Sequence, residues 1–178
     1  MPCTLPEATA RAAQVRLMIF DVDGVLTDGS LHFGNDGELI KTFHVLDGHG
    51  IKQLQQSGLI TAIISARASA LVTRRASDLG ITHVLQGVHD KRAAFAQLLA
   101  TTGFTPAQCG YIGDDVIDLP ILLRAGFAAS VPGAHAEVRQ RVHLVTQASG
   151  GHGAVRELCD FILRAQGNYE AALAPYLA

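Results

Sequence analysis

From Val15 onward, short apolar runs that end in Gly, Asp or Ser alternate with longer segments whose apolar residues recur at helical spacing. Runs too short for helices, followed by segments too long for turns, mark βα units, and a series of such units closes into a parallel sheet covered by helices. The spacing predicts strands over 15–20, 59–64, 83–85, 109–112, 127–129 and 143–145. It predicts helices over 48–57, 68–79, 91–102, 116–125, 134–141 and 153–165.

One stretch interrupts the alternation. Residues 30–33 and 38–43 flank Gly34-Asn35-Asp36-Gly37, whose glycines permit the positive φ of a tight reversal, so a β-hairpin is expected just after the first strand. The absence of Trp and the 48% hydrophobic fraction require a core built mainly from Leu, Ile, Val and Ala, which suits helices packed on a sheet. The expected fold class is α/β: a Rossmann-like three-layer sandwich with a central, mostly parallel sheet, the small inserted hairpin and no large cap domain. With 178 residues, no internal repeat and no linker, 1–178 reads as a single domain.

Charge and cysteine content narrow the function classes. A net charge of −2 lacks the basic imprint of a nucleic-acid or anionic-membrane binder. Cys3, Cys109 and Cys159 are odd in number and far apart, so neither a disulfide framework nor a zinc knuckle is indicated. The eight histidines show no H-x-x-H spacing. Residues 1–15 lack the apolar stretch of a signal peptide, and no apolar run approaches the roughly 18 residues of a membrane span. A soluble cytoplasmic protein is expected.

The chemistry lies at the ends of the expected strands. Asp21-Val22-Asp23-Gly24 follows the apolar run Leu17–Phe20, placing two carboxylates where open α/β sheets bind ligands. Gly113-Asp114-Asp115-Val116-Ile117-Asp118 follows another buried run. Carboxylates converging from two strand ends repel one another unless a hard divalent cation joins them, and beside a phosphate Mg²⁺ is favoured. Ser65-Ala66-Arg67 ends the 59–64 strand, and Lys91 opens a helix after the 83–85 strand. A hydroxyl, helix amides and an ammonium are the groups that hold phosphate oxygens. Singly, Ser65 reads as an N-cap and Lys91 as a solvated surface charge. Together, after successive strands, they form a phosphate-handling set.

In this order, D-x-D, Ser, Lys and G-D-D-x-x-x-D resemble the phosphatases of the haloacid dehalogenase superfamily over essentially the whole chain from Val15. The resemblance implies that Asp21 is the nucleophile that forms an aspartyl phosphate, with Asp23 as general acid/base. It also implies that Ser65 and Lys91 bind the phosphate. Mg²⁺ would be held by the Asp21 carboxylate, the Asp23 backbone carbonyl and Asp114, with Asp115 and Asp118 orienting groups behind them.

Among capless members, the chain resembles the 3-deoxy-D-manno-octulosonate 8-phosphate phosphatases, which act in lipopolysaccharide precursor synthesis. The matches are D-V-D-G-V-L-T-D-G at 21–29, F-H-V-L-D-G-H-G-I-K at 43–52, L-G-I-T-H at 79–83, G-D-D-V-I-D-L-P at 113–120 and G-G-H-G-A-V-R-E-L-C-D at 150–160. This resemblance implies a homotetramer in which neighbouring subunits complete each pocket. It implies that His44, Val45, Leu46, Asp47, Gly48, Lys52, Arg67 and Arg75 lie near the substrate, a small phosphorylated sugar acid. The chain departs from the family at Leu46, Lys52 and His152, where Arg is frequent, and at Ala66, where Gly is. The other readings are a phosphatase for a nine-carbon sugar acid phosphate and a non-catalytic scaffold of the same fold. Gly150–Gly153 reads as a flexible lead-in to the last helix with a role at a subunit interface.

Overall fold

The computed structural model describes residues 4–35 and 37–177. Six parallel strands form the central sheet: β1 (Leu17–Phe20), β4 (Ile60–Ile64), β5 (His83–Leu85), β6 (Cys109–Ile112), β7 (Phe127–Ser130) and β8 (Leu144–Val145). Their order across the sheet is β5-β4-β1-β6-β7-β8. β1 pairs in parallel with β4 (Leu17 opposite Ile60) and with β6 (Leu17 opposite Cys109). β1, β6 and β7 are buried along their whole length, as strands covered on both faces must be. The hairpin is β2 (His32–Gly34) with β3 (Gly37–Ile40), antiparallel and separate from the main sheet. The expected strand ends at 43 and at 30 contract to these limits, and Asp36 of the expected turn lies outside the described residues.

The helices are α1 (Leu5–Ala12), α2 (Val45–Gln56), α3 (Ala70–Leu79), α4 (Lys91–Thr102), α5 (Leu119–Leu122), α6 (Ala136–Arg139), α7 (Ala154–Ala165) and α8 (Tyr169–Leu173). α2 packs on α7, which also receives α1, while α4 packs against α5. Right-handed crossovers require this division. The chain steps from β1 outward through β4 to β5, then returns to the other side of β1 for β6, β7 and β8, so α2 and α3 fall on one face and α4, α5 and α6 on the other. β1, where the direction of winding changes, is therefore the place for a site.

Two elements differ from expectation for local reasons. The helix expected over 116–125 is a 3₁₀ turn at Val116–Asp118 followed by the four-residue α5. Pro120, in the first turn of α5, has no N–H and cannot continue a helix begun at 116. Helix α1 falls before the region where alternation begins. It is nucleated by a capping box in which the Thr4 hydroxyl accepts from the Glu7 N–H while the Glu7 carboxylate accepts from the Thr4 N–H. No helix among the described residues is long and apolar enough to cross a membrane.

Candidate active site

The Asp21 N–H donates to the Ile112 carbonyl at 3.0 Å, so Asp21 occupies the last rung of the β1–β6 ladder and its carboxylate is fixed at the strand's C-terminal end. From the neighbouring crossover, Lys91 enters at the first residue of α4, whose N-terminus is closed by Asp90 accepting from the Ala93 N–H at 3.0 Å. Its ammonium is buried. It donates to Asp21 Oδ1 at 2.9 Å, to the Tyr111 hydroxyl at 3.2 Å and to Asp118 Oδ1 at 2.5 Å. The reading of Lys91 as a solvated charge is thereby corrected.

Asp118 is the hub behind this pair. Its Oδ1 accepts from Lys91 and from the Tyr111 hydroxyl at 2.5 Å, and its Oδ2 accepts from the Asp114 and Asp115 N–H groups, both at 3.1 Å. With both oxygens engaged it ties the 113–118 loop to Lys91 and Asp21. Asp115, by contrast, is exposed and caps the 3₁₀ turn by accepting from the Val116 N–H at 2.7 Å.

The electrostatics follow from crowding. Burial, then the charge of Asp118, pushes Asp21 up to about 7 against the pull of Lys91. Burial, then Asp118 and Asp115, pushes Asp114 up to about 7. Burial alone would lower Lys91, but Asp21 and Asp118 outweigh it and hold the ammonium above its usual range. Tyr111, raised by burial and by the same carboxylates, remains a phenol and a donor.

This excess of negative charge is what a divalent cation resolves. Asp21, Asp114 and Asp118 each offer an oxygen within 4.8 Å of the others. Asp118 is already saturated by its four donors, leaving Asp21 and Asp114 as the carboxylates free to ligate. Gly24 closes the arrangement: its φ is +89°, and a Cβ there would lie 2.2 Å from Asp114 Oδ2. Only glycine lets the D-x-D loop approach Asp114 so closely. The oxygen-rich donor set fits Mg²⁺.

On the opposite side stands Asp23. Its carboxylate accepts from Lys41, and Arg67 Nε lies 3.7 Å from its Oδ2. Lys41 also pairs with Glu38 at 3.2 Å, Arg67 lies 3.7 Å from Glu38, and the Ser69 hydroxyl donates to Glu38. Ser65, buried at the end of β4, accepts from the Arg67 N–H at 3.3 Å and turns the chain into the site. The cleft of about 170 Å³ between these groups is lined by Asp21, Asp23, Ser65, Ala66, Arg67, Asp114, Asp115 and Ile117.

Asp21, Asp23, Ser65, Arg67, Asp114 and Asp115 therefore converge on one cleft, with Lys91 and Asp118 beneath it. The 44–48 segment, Lys52 and Arg75 do not line this cleft. His44 is the N-cap of α2; Val45, Leu46 and Lys52 are exposed. Arg75 donates to the His44 carbonyl at 3.3 Å and stacks on Phe43. In place of a ligand, Asp47 caps another helix: its buried carboxylate accepts from the Arg156 N–H at 2.7 Å. Nor is the Gly150–Gly153 segment free: the Gly151 N–H donates to the Val25 carbonyl at 3.0 Å, and a Cβ there would lie 2.4 Å from the Asp28 nitrogen. It braces the loop that carries Asp21 and Asp23. Sequence reasoning passed over Glu38, Lys41 and Tyr111, which lie outside the superfamily motifs.

A buried carboxylate paired with Lys, faced by a second carboxylate and flanked by carboxylates able to hold a cation, is the equipment of an aspartate-based phosphatase. No family model matches the chain. Over 140 residues it is 49% identical to the 3-deoxy-D-manno-octulosonate 8-phosphate phosphatase of Yersinia pestis, covering 79% of this chain and 75% of that one. The crystal structure of the Moraxella catarrhalis enzyme of that name, in complex with magnesium, phosphate and its sugar acid, superposes with a TM-score of 0.95 at 43% identity, covering 97% of this chain and 99% of that one. The cobalt-bound Haemophilus influenzae phosphatase gives 0.88 at 42% identity, covering 90% and 94%. The chain belongs to the 3-deoxy-D-manno-octulosonate 8-phosphate phosphatase family of the haloacid dehalogenase superfamily.

Proposed function

We propose that this protein hydrolyses 3-deoxy-D-manno-octulosonate 8-phosphate to the free sugar acid and inorganic phosphate. The observation that carries the reading is the buried Asp21–Lys91 pair at the floor of a cleft whose other wall presents Asp23. Asp21 attacks phosphorus in line, and the bond from phosphorus to the sugar oxygen breaks. Asp23 gives its proton to the departing alkoxide, then takes one from water as that water attacks the aspartyl phosphate and the bond from phosphorus to Asp21 breaks. Lys91 and Ser65 hold phosphoryl oxygens through the transfer. Mg²⁺, held by Asp21, Asp114 and the Asp23 carbonyl, supplies charge neutralisation between the anionic nucleophile and the anionic phosphate.

In this reading residues 1–178 act as one catalytic domain, in the cytoplasm, on a precursor of lipopolysaccharide. A homotetramer is supported by the exposed apolar side chains of the hairpin, with Phe33 at 62% and Leu39 at 65% accessibility. In such an assembly a neighbour's surface brings residues of the 44–52 segment and Arg75 to the sugar. Phosphate release with Mg²⁺ present, measured on this substrate, a nine-carbon sugar acid phosphate and hexose phosphates, tests the assignment. Preference for the first is expected, and its loss in Asp21→Asn. Equal turnover of all of them withdraws the substrate. Light scattering at the assay concentration tests the tetramer, and a fully active monomer excludes it.

A further inference from the structure

Lys41 directly follows β3, yet its side chain is only 1% exposed, an unusual state for a lysine at the root of an exposed hairpin. Burying an ammonium costs several kcal/mol unless it is paired, and its partners here are Asp23 and Glu38. Glu38 is itself held by the Ser69 hydroxyl, whose hydrogen bond, with help from Lys41, keeps the Glu38 carboxyl below its ordinary range.

The two oxygens of Asp23 are addressed by different cations, Oδ1 by Lys41 and Oδ2 by Arg67. That fixes the plane of the carboxylate as well as its place. The local charges balance, with Lys41 and Arg67 against Asp23 and Glu38. Asp23 sits in the turn leaving β1, where nothing in the strand ladder orients a side chain; the hairpin supplies what the sheet does not.

We infer that Lys41 is a positioning residue for the reaction, acting through Asp23, with Glu38 and Ser69 holding it in place. The inference rests on the reading of Asp23 as acid/base. Both proton transfers occur at Asp23, so a misplaced carboxylate slows turnover without weakening substrate binding. A displacement of about 1 Å at such a group can cost on the order of 100-fold in rate.

The test is a double-mutant cycle by single-turnover and steady-state phosphate release. Lys41→Met is expected to lower kcat by roughly 10- to 100-fold with KM changed less than about twofold, and Lys41→Arg to recover most of the loss. In an Asp23→Asn background, adding Lys41→Met is expected to cost nothing further. Glu38→Gln gives a smaller loss with the same non-additivity, and carries the test if Lys41→Met fails to fold. An equal loss in both backgrounds, or a rise in KM at constant kcat, overturns the inference while leaving the phosphatase reading intact. Full turnover by Asp23→Asn overturns the acid/base reading and this inference with it.

Discussion

Three oxygens, from Asp21, Tyr111 and Asp118, share the single ammonium of Lys91, and all four groups are buried, Asp21 alone opening on the cleft. Such a cluster is favourable only while complete: two carboxylates so close, without the cation between them, repel in a medium that screens them poorly. Lys91→Met, which keeps the volume and removes the charge, is therefore expected to destabilise the fold by about 3–5 kcal/mol, the usual cost of breaking a buried pair by removing one partner. Urea unfolding in EDTA measures this without interference from a bound cation. A midpoint unchanged from the parent protein would mean that Asp21 and Asp118 find other compensation. Under the proposed mechanism turnover is expected to fall by at least about 100-fold, since the charge that holds Asp21 in place and would stabilise the transferring phosphoryl group is gone.

Helices α2 and α7 are joined by a contact that neither could make alone. Asp47, in the first turn of α2, accepts from the Arg156 N–H in the first turn of α7, so one helix caps the other. Burial, offset in part by backbone donors from Arg156, Gly153 and Val155, raises its pKa above the ordinary 3.8. A carboxyl raised on folding contributes stability that is fully present below the unfolded value and is lost as pH rises through the folded one. Asp47→Asn keeps an acceptor and cannot ionise. The stability difference between Asp47→Asn and the parent is thus expected to move in favour of the variant as pH rises from about 4 to 7, whereas Asp47→Ala loses the cap and lies below Asp47→Asn by about 1–2 kcal/mol at every pH. Unfolding curves across that range check both claims, and a constant difference between Asn and parent would contradict the first. The sequence made the βα order legible because buried parallel strands need uninterrupted apolar runs such as Leu17–Phe20, and it made Asp21, Ser65, Lys91 and Asp114 legible because each follows one. Helix α1 is readable in Thr4-Leu5-Pro6-Glu7, a capping box that lies outside the strand-helix alternation. Pro120 likewise marked the break in the 116–125 helix. What no local pattern carries is long-range pairing: Lys41 with Asp23, or Asp47 with Arg156, requires the tertiary structure to bring distant segments together.

The proposed cation ligands come from the ends of β1 and β6, adjacent strands at the centre of the sheet, so their separation accompanies unfolding of the whole molecule rather than of one edge. A cation bound only by the folded state adds stability by mass action, about 2.7 kcal/mol at a concentration of 100 times its Kd. Without the cation, the crowding that pushes Asp21 and Asp114 up is a cost borne by the fold. Asp114→Asn removes one of the crowded charges together with one of the ligands, and the two effects have opposite signs. In EDTA the variant is expected to unfold at or above the midpoint of the parent, and in saturating Mg²⁺ well below it, so the two stability curves cross as the cation is titrated. Thermal unfolding over a Mg²⁺ series resolves the crossing. A Mg²⁺-induced shift of equal size in both proteins would place the cation away from Asp114, while a variant less stable even in EDTA would show that Asp114 holds the Gly24 loop by contacts that do not depend on the ion.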